Sequence, residues 1–256
     1  MPAGDSAGET GLAPHLMRRI RITLSYDGGD FHGWQVQPGL PTIQGTLEEI
    51  VSGMEGTPVH VAGSGRTDAG VHALAQVAAF SLENPIPLPN LRRAMNRLLP
   101  PAIRIQSAEE AGAGFHPRFD ARAKTYEYRM ARGEVCSPFE WPYVYHYPYP
   151  LDEGAMALLA RAFEGEHDFA AFAASDERDA EGQSKVRTVF SSTLQREGDS
   201  LIYRVRGSGF LKHMVRNLVG TLIEAGRGNI SDTTALPGVS GATAPAKGLF
   251  LVNVEY

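Results

Sequence analysis

The sequence predicts an α+β protein of two ferredoxin-like β-α-β-β-α-β halves, with mostly antiparallel sheets around a central cleft. Alternating β-rich runs and runs of helical period follow one another in that order. The same order returns in the second half of the chain, without a clear repeat in sequence. The composition, 43% hydrophobic and 21% charged residues, is typical of a globular protein with a sizeable core.

The first half, residues 19–112, follows a start rich in Gly, Ala and Pro. That start, residues 1–18, has the composition of a disordered tail. The strand RIRITLSYD is followed by a helix with Thr42 as its N-cap and Gly56 at its end. Two strands, PVHVAGS and HALAQVAAFSL, then enclose a turn, and a helix and a strand complete this half.

The second half, residues 113–256, repeats the order with longer elements. A two-residue turn of Gly198 and Asp199 joins its middle strands. The predicted elements are the strand KTYEYRMAR, the helix LDEGAMALLARAFEG, the strands VRTVFSSTLQRE and SLIYRVRGS, the helix FLKHMVRNLVGTLIEAG and the strand GLFLVNVEY.

Charge and cysteine content limit the classes of function. The net charge of −5 taken alone argues against a nucleic-acid partner, but arginines can line a cleft on an acidic body. The single cysteine, Cys136, excludes an internal disulfide and fits a reducing cytosol. No apolar run approaches the roughly 18 residues of a membrane span, and the start does not resemble a secretory signal.

The turn in GSGRTDAGVHALAQVAAF, residues 63–80, carries more polar chemistry than packing explains. Its glycines permit tight bends, and short side chains around Asp68 leave the carboxylate reachable beside Arg66 and Thr67. It lacks the Gly-Lys-Ser/Thr ending of a phosphate-binding P-loop. A hairpin whose Asp68 caps its own backbone is the structural alternative.

Two further stretches carry cations beside apolar groups. In FLKHMVRNLVGTLIEAG, Lys212 and Arg216 fall at the edge of an apolar stripe, where a half-buried arginine requires a carboxylate or extends to solvent. In GFHPRFDARAKTYEYRM, bases alternate with aromatics, a combination that suits an unstacked base and its phosphates. The residues of interest there are His116, Arg118, Arg122, Lys124, Tyr126 and Tyr128. Core packing is the alternative for the tyrosines, and we assign it to Tyr128.

The remaining polar residues predict a binding loop and no metal site. The glycine-rich loop YDGGDFHGWQVQPG, residues 26–39, follows a strand and is a candidate binding loop. His60, His72 and His213 lack the spacing of metal ligands, and one cysteine cannot build a multi-cysteine zinc site.

Five motifs in order closely resemble the tRNA pseudouridine synthase A (TruA) family, over nearly all of residues 20–256. They are SYDGGDFHGWQVQ with TIQGTLEE, GRTDAGVHA, ARAKTYEYR, GFLKHMVRNLVGTLIEAGRG and TAPAKGLFLVNVEY. The resemblance implies the pseudouridine synthase fold, with an RNA-binding cleft between its halves. It also implies a cytoplasmic homodimer that needs no cofactor and isomerises uridine to pseudouridine at positions 38 to 40 of the tRNA anticodon stem-loop.

The resemblance also assigns roles to residues. Asp68 matches the catalytic carboxylate, which attacks either the base or the sugar C1′. Tyr126 matches the tyrosine that stacks on the uracil and is a candidate for proton removal from C5, and Arg216 matches the basic partner of the aspartate. Arg66 matches the arginine that displaces the target base. The substrate-binding set is then Arg66, Thr67, His116, Arg118, Gly248 and Leu249, in which Leu249 is an apolar contact to the base.

One segment departs from the family pattern. TTALPGVSG, residues 233–241, is shorter than usual and lacks an Asp-Arg pair, which concerns local RNA contacts rather than Asp68. Two alternative functions fit the sequence less well. A non-catalytic RNA-binding module of the RRM type lacks its strand motif here, and an aspartic hydrolase would need a second carboxylate motif.

Overall fold

A computed structural model describes residues 17–175, 182 and 184–256. The predicted disordered tail lies, up to residue 16, outside the described residues. The first strand begins at Arg18, inside the range predicted as tail. None of the helices in the described parts of the chain has the length and apolar character that a membrane span requires.

The first half contains the predicted elements, with one much shorter strand. Thr42 caps the first helix by accepting the Gly45 N–H, and Gly56 ends it at φ 81°, as predicted. The second strand, predicted over residues 58–64, is only two residues long. The elements are β1 Arg18–Tyr26, α1 Ile43–Glu55, β2 Ala62–Gly63, β3 His72–Leu82, α2 Leu88–Leu98 and β4 Ile103–Glu110.

The second half contains two strands that the sequence did not predict, β6 and β7. Its last helix starts at Met214, later than predicted, because His213 has a left-handed backbone that cannot continue a helix. Lys212 therefore precedes the helix rather than lying on its face. The elements are β5 Ala123–Ala131, β6 Tyr145–His146, α3 Glu153–Ala162, β7 Gly165–Asp168, β8 Val186–Glu197, β9 Ser200–Gly207, α4 Met214–Gly226 and β10 Leu249–Glu255.

The strands form one mostly antiparallel sheet in the order β4-β1-β3-β10-β5-β9-β8-β7, with β2 on β3 and β6 on β5. Within each half the fourth strand lies beside the first, then the third, then the second: β4-β1-β3-β2 and β10-β5-β9-β8. This is the ferredoxin-like order, so the predicted α+β class with two such halves is confirmed. The division into domains at residue 112 stays a prediction.

The halves join along one edge of β3. Ala78 and Ala79 pair with β2, whereas His72 and Ala73 pair in parallel with β10. The edge is thus shared between the two halves, and residues 64–71 connect the end of β2 to the start of β3 at the place where the edge passes from β2 to β10. A loop at such a junction faces elements from both halves.

The core follows from the strand pattern. Residues of β1 alternate between buried and partly exposed, so one face of the sheet carries the helices. Nearly all of α4 is buried, and it packs on α3. A Cβ at Gly220 would lie 1.8 Å from the Ala242 carbonyl oxygen, so only glycine lets the returning chain lie against α4.

Candidate active site

The loop of residues 64–71 is held at both ends by side chains from outside it. Lys124 on β5 donates from Nζ to the Ser64 carbonyl oxygen at 2.6 Å. The Thr67 hydroxyl shares a 2.8 Å hydrogen bond with the Tyr26 hydroxyl. Since polar groups of a buried loop need partners, these contacts fix the backbone on either side of Arg66.

A second loop, residues 27–42, supports the first from below. The Trp34 N–H donates to the Thr67 carbonyl oxygen at 3.0 Å. Gly33 has φ 89°, and a Cβ there would lie 2.6 Å from that same oxygen. The close approach requires glycine, which explains part of the glycine content of the predicted binding loop.

Asp68 lies between an arginine and a histidine of the second half, Arg216 and His213. Its Oδ2 is 3.1 Å from Arg216 Nη1 and 3.5 Å from His213 Nε2. The side chains of Asp68 and Arg216 are 24% and 15% exposed, so the pair is mostly withdrawn from water but open on one side. Arg216 also donates from Nε to the Ala244 carbonyl oxygen at 2.7 Å, which fixes its guanidinium.

Apolar groups surround this pair. Tyr126 and Leu249 are buried and line the same cleft, and the ring of Tyr126 meets Phe210 edge to face at 5.2 Å. Burial raises the pKa of Tyr126 well above its usual range, and Tyr26 and the carboxylate of Asp68 raise it further. The phenol of Tyr126 is therefore neutral at neutral pH.

The cleft has a volume of about 900 Å³ and is lined by both halves. Its basic lining residues are Arg66, Arg118, Lys124, Lys185, Arg187, Lys212 and Arg216. Among the lining residues that the structure describes, Asp68 is the only carboxylate, so the cleft is basic although the chain is acidic overall. An aspartic dyad would have no second member there, which argues against the hydrolase interpretation.

Lys124 is a residue whose position the sequence indicated but whose role it did not. It lies two residues before Tyr126 on the same strand face, as predicted, and both line the cleft. Burial lowers the pKa of Lys124 from 10.5 to about 8, and the nearby charge of Arg118 adds to the effect. Near neutral pH its ammonium is mostly charged, within reach of the loop.

The remaining predicted substrate-binding residues fall in different places. Arg66 and Arg118 are exposed at the cleft, whereas the hydroxyl of Thr67 is already bonded to Tyr26. Gly248 is buried outside the cleft lining, where a Cβ would lie 2.8 Å from Tyr128 Cζ. It therefore permits close packing there, and its predicted substrate contact stays a prediction.

His116 is not among the described residues that line the cleft, and its predicted substrate contact stays a prediction. The Nδ1 of His116 accepts the Arg118 N–H at 3.1 Å. Its ring packs on Phe119, with centroids 4.3 Å apart. The imidazole thus closes the local turn, a role that a mixture of bases and aromatics in sequence does not distinguish from substrate binding.

Two residues of the motifs belong to the core. Tyr128 is fully buried and donates its hydroxyl to the Pro245 carbonyl oxygen at 2.8 Å, which confirms its assignment to packing. His72, the histidine of the Asp68 motif, is buried against Phe250, and its Nδ1 is 3.0 Å from Asp27 Oδ1. Burial lowers the pKa of His72, so a neutral ring anchors the start of β3.

His213 is the functional candidate that sequence analysis missed. The sequence offers His213 only as a potential metal ligand without the required spacing. In a helix that starts at Phe210, residue 213 has no reason to face the turn at Asp68. The described residues contain no cluster of three or more histidine, cysteine, aspartate or glutamate side chains able to hold a metal ion.

The segment of residues 233–241 ends against α4. Gly241 donates its N–H to Thr221 Oγ1 at 2.8 Å, and Thr243 donates to Asn217 Oδ1 at 2.6 Å. The chain then reaches Ala244, the backbone partner of Arg216. The short segment is thus compatible with the contact that orients the guanidinium.

Comparisons with known proteins agree with this architecture. The family model described as tRNA pseudouridine synthase matches residues 22–120 and 159–256. A tRNA pseudouridine synthase A of Solibacter usitatus (strain Ellin6076) is 82% identical over 240 residues, which is 94% of this chain and 100% of that relative. Proteins of the same name from Geotalea uraniireducens (strain Rf4) and Lacticaseibacillus casei (strain BL23) are 44% and 43% identical, over 94% of this chain and 100% of each relative. The chain therefore belongs to the tRNA pseudouridine synthase family, a family of isomerases.

Proposed function

We propose that this enzyme converts uridine to pseudouridine at positions 38 to 40 of the tRNA anticodon stem-loop, with Asp68 as the nucleophile. The observation that carries the proposal is the Asp68–Arg216 pair in a basic cleft lined by both halves. A carboxylate needs a cationic neighbour to stay ionised when it is partly withdrawn from water. The anticodon positions rest on the family resemblance.

The chemistry balances without a cofactor. The bond between C1′ and N1 breaks, a bond between C1′ and C5 forms, C5 loses a proton and N1 gains one. A nucleophile is needed to hold either the sugar or the base while the uracil turns. Asp68 is suited to both modes of attack, at C1′ or at the base, because its carboxylate is open to the cleft on one side.

The target base must leave its stack to reach Asp68, which costs a few kcal/mol. Tyr126 and Leu249 both line the cleft near Asp68, and a flat ring and an aliphatic group can hold a base without preventing in-plane rotation. Because the phenol of Tyr126 is neutral and buried, its pKa supports stacking more than proton acceptance from C5. Arg66, exposed on the loop, is suited to occupy the gap left in the RNA.

The basic lining predicts that tRNA affinity depends strongly on salt. Each phosphate neutralised by a lysine or arginine releases counterions, so the logarithm of the affinity should fall linearly with the logarithm of salt concentration. We expect a loss of about tenfold or more between 50 and 200 mM salt, measured by filter binding. A flat dependence would contradict phosphate binding by this cleft.

The family resemblance further supports a cytoplasmic homodimer in which one tRNA contacts both subunits. The single Cys136 is compatible with a reducing compartment. Light scattering at several concentrations, with and without tRNA, would determine the stoichiometry. A monomer that modifies tRNA at the wild-type rate would remove the dimer from the proposal.

The direct test is tritium release from C5-labelled uridine in an unmodified tRNA transcript, followed by sequencing of the product. We expect release by the wild type and none by Asp68→Asn, with tRNA affinity unchanged within a few-fold. Asp199→Asn, on the turn of the other half, is the matched control and should release tritium normally. Substantial release by Asp68→Asn would exclude it as the nucleophile, and binding without release by the wild type would indicate a non-catalytic RNA-binding module.

A further inference from the structure

His213 is held in an unfavourable backbone conformation. Among the described residues it is the only one other than glycine with a positive φ, at φ 61° and ψ −3°. A left-handed backbone is unfavourable for an L-residue with a Cβ. Glycine would avoid this cost, so a histidine at this position points to a contribution from its side chain that glycine cannot make.

The strain has a direct consequence for the site. Because residue 213 does not have helical dihedrals, α4 begins at Met214, and Asn217 donates its N–H to the carbonyl oxygen of His213. The imidazole then lies in the cleft wall, 30% exposed, with Nε2 3.5 Å from Asp68 Oδ2. The strained residue and the carboxylate are therefore neighbours in space, although they are far apart in sequence.

The two oxygens of Asp68 have different surroundings. Two side chains approach Oδ2: Arg216 Nη1 at 3.1 Å and His213 Nε2 at 3.5 Å. Among the hydrogen bonds of the described residues, Arg216 donates to Oδ2 and none is made to Oδ1. Oδ2 therefore has neighbouring side chains on two sides, and Oδ1 remains available to a substrate in the cleft.

We propose that His213 is a positioning residue for Asp68, which together with Arg216 holds Oδ2 and leaves Oδ1 as the attacking oxygen. The proposal rests on the proposed function of Asp68 as nucleophile. In attack at C1′ an Oδ1–C1′ bond forms while the C1′–N1 bond breaks and leaves its electron pair on the uracil. In attack at the base an Oδ1–C6 bond forms while the C5–C6 double bond breaks and its electron pair moves to the C4 carbonyl oxygen. In both modes Oδ2 becomes the carbonyl oxygen of an ester. Two contacts on Oδ2 restrict rotation of the carboxylate, so that Oδ1 keeps one direction toward the substrate.

Three substitutions separate the side chain from the backbone strain. His213→Gly removes both, and His213→Asn keeps a residue that tolerates the left-handed region but is too short to replace Nε2. His213→Gln restores a donor of similar reach. We expect thermal stability of the Gly variant to equal or exceed that of the wild type, because the strain is relieved.

The activity readout is the single-turnover rate of tritium release at saturating tRNA, with tRNA affinity measured in parallel. We expect His213→Gly and His213→Asn to lower that rate about 10- to 100-fold without changing tRNA affinity, and His213→Gln to recover part of it. In the double variant with Arg216→Ala, the combined loss should be smaller than the product of the single losses, because both residues act on one oxygen.

Each outcome decides the matter. A wild-type rate in His213→Gly would overturn the positioning role while leaving the proposed function intact. A loss in tRNA affinity with an unchanged rate, or losses that multiply fully in the double variant, would assign His213 to RNA contact instead. Absence of release by the wild type itself would overturn both proposals.

Discussion

The two halves of the molecule have the same strand order but use the link between their second and third strands differently. In the second half, β8 and β9 are joined by Gly198 and Asp199 alone, with Gly198 at φ 59°. In the first half the corresponding link, between β2 and β3, is the loop of residues 64–71 that carries Asp68. The second-half link is a two-residue hairpin turn, and the first-half link is a longer loop that presents a carboxylate.

The difference arises from strand length. β8 runs from Val186 to Glu197 and pairs along β9, so its backbone groups are satisfied within the sheet. β2 is only Ala62–Gly63, which leaves the start of β3 to pair with β10 and leaves the loop to other partners. The side chain of Gln76 supplies partners in place of a strand. Its Oε1 accepts a hydrogen bond from Ser64 Oγ at 2.5 Å, and its Nε2 donates to the Gly65 carbonyl oxygen at 3.0 Å. A hairpin can thus be converted into a site by moving its backbone partners from strands to side chains.

The largest expected effect comes from breaking the ion pair at the first-half loop. Arg216→Ala should lower the rate of tritium release at least about 100-fold, because the carboxylate loses its main cationic partner. The cost in the free energy of unfolding should be only about 1 kcal/mol, since water can reach part of Asp68. Chemical denaturation and single-turnover kinetics measure the two quantities.

The matched control lies beside the tight turn of the other half. Arg196 on β8 pairs with Glu153 at 2.6 Å, and both side chains are partly exposed. Arg196→Ala should leave the rate unchanged and alter stability by less than about 1 kcal/mol. Equal losses of activity from the two substitutions would mean that the two hairpins do not differ in function as argued.

A second comparison replaces one glycine at each link: Gly33, which packs against the first-half loop, and Gly198, which forms part of the second-half turn. Gly33→Ala should destabilise the protein by about 2–4 kcal/mol and impair turnover, because its Cβ would meet the Thr67 carbonyl oxygen at 2.6 Å and φ is 89°. Gly198→Ala meets no atom within 4 Å and should cost only about 1 kcal/mol, with activity retained. Thermal melts and parallel activity assays measure both effects. A larger loss in Gly198→Ala than in Gly33→Ala would contradict the greater sensitivity of the first-half loop.

The smallest effect concerns the cation that anchors the first-half loop. The pKa of Lys124 is about 8 in the folded protein, against 10.5 for an ordinary lysine, so the unfolded chain binds more protons between these values. Folding stability contributed by this residue therefore rises with pH from about 8 toward 10.5, because the cost of burying the charge disappears. Relative to Lys124→Met, the wild type should gain free energy of unfolding between pH 7 and 9.5. An unchanged difference would mean that Lys124 is not buried as a charge.

Sequence patterns predicted the long elements well and the short ones poorly. β8 was predicted within its observed limits because twelve residues of β-rich sequence ended at a glycine turn. β6 and β7 were missed because strands of two and four residues carry too little periodicity, and they form only because a neighbouring edge offers hydrogen bonds. The sequence left open whether the strands form one sheet or two, since the pairing of β3 with β10 joins residues far apart in the chain.

The site shows the same division. The roles of Asp68, Tyr126 and Arg216 were predicted from the family resemblance, and the apolar stripe alone left Arg216 either pairing with a carboxylate or extending to solvent. His116 was predicted to bind substrate, and that stays a prediction, because its ring closes a local turn outside the described cleft lining. His213 was missed because its role depends on one backbone conformation, which helical periodicity conceals.

By itself the sequence determined the class of the fold and the family, and it supplied Asp68 as the candidate carboxylate, because these depend on periodicity and on local motifs. Only the tertiary structure decided that Arg216 and His213 meet the same oxygen of Asp68, that Lys124 anchors the loop with a lowered pKa, and that an acidic chain has a basic cleft. The physical reason is that distance, burial and local potential arise between residues far apart in sequence, where no spacing rule applies.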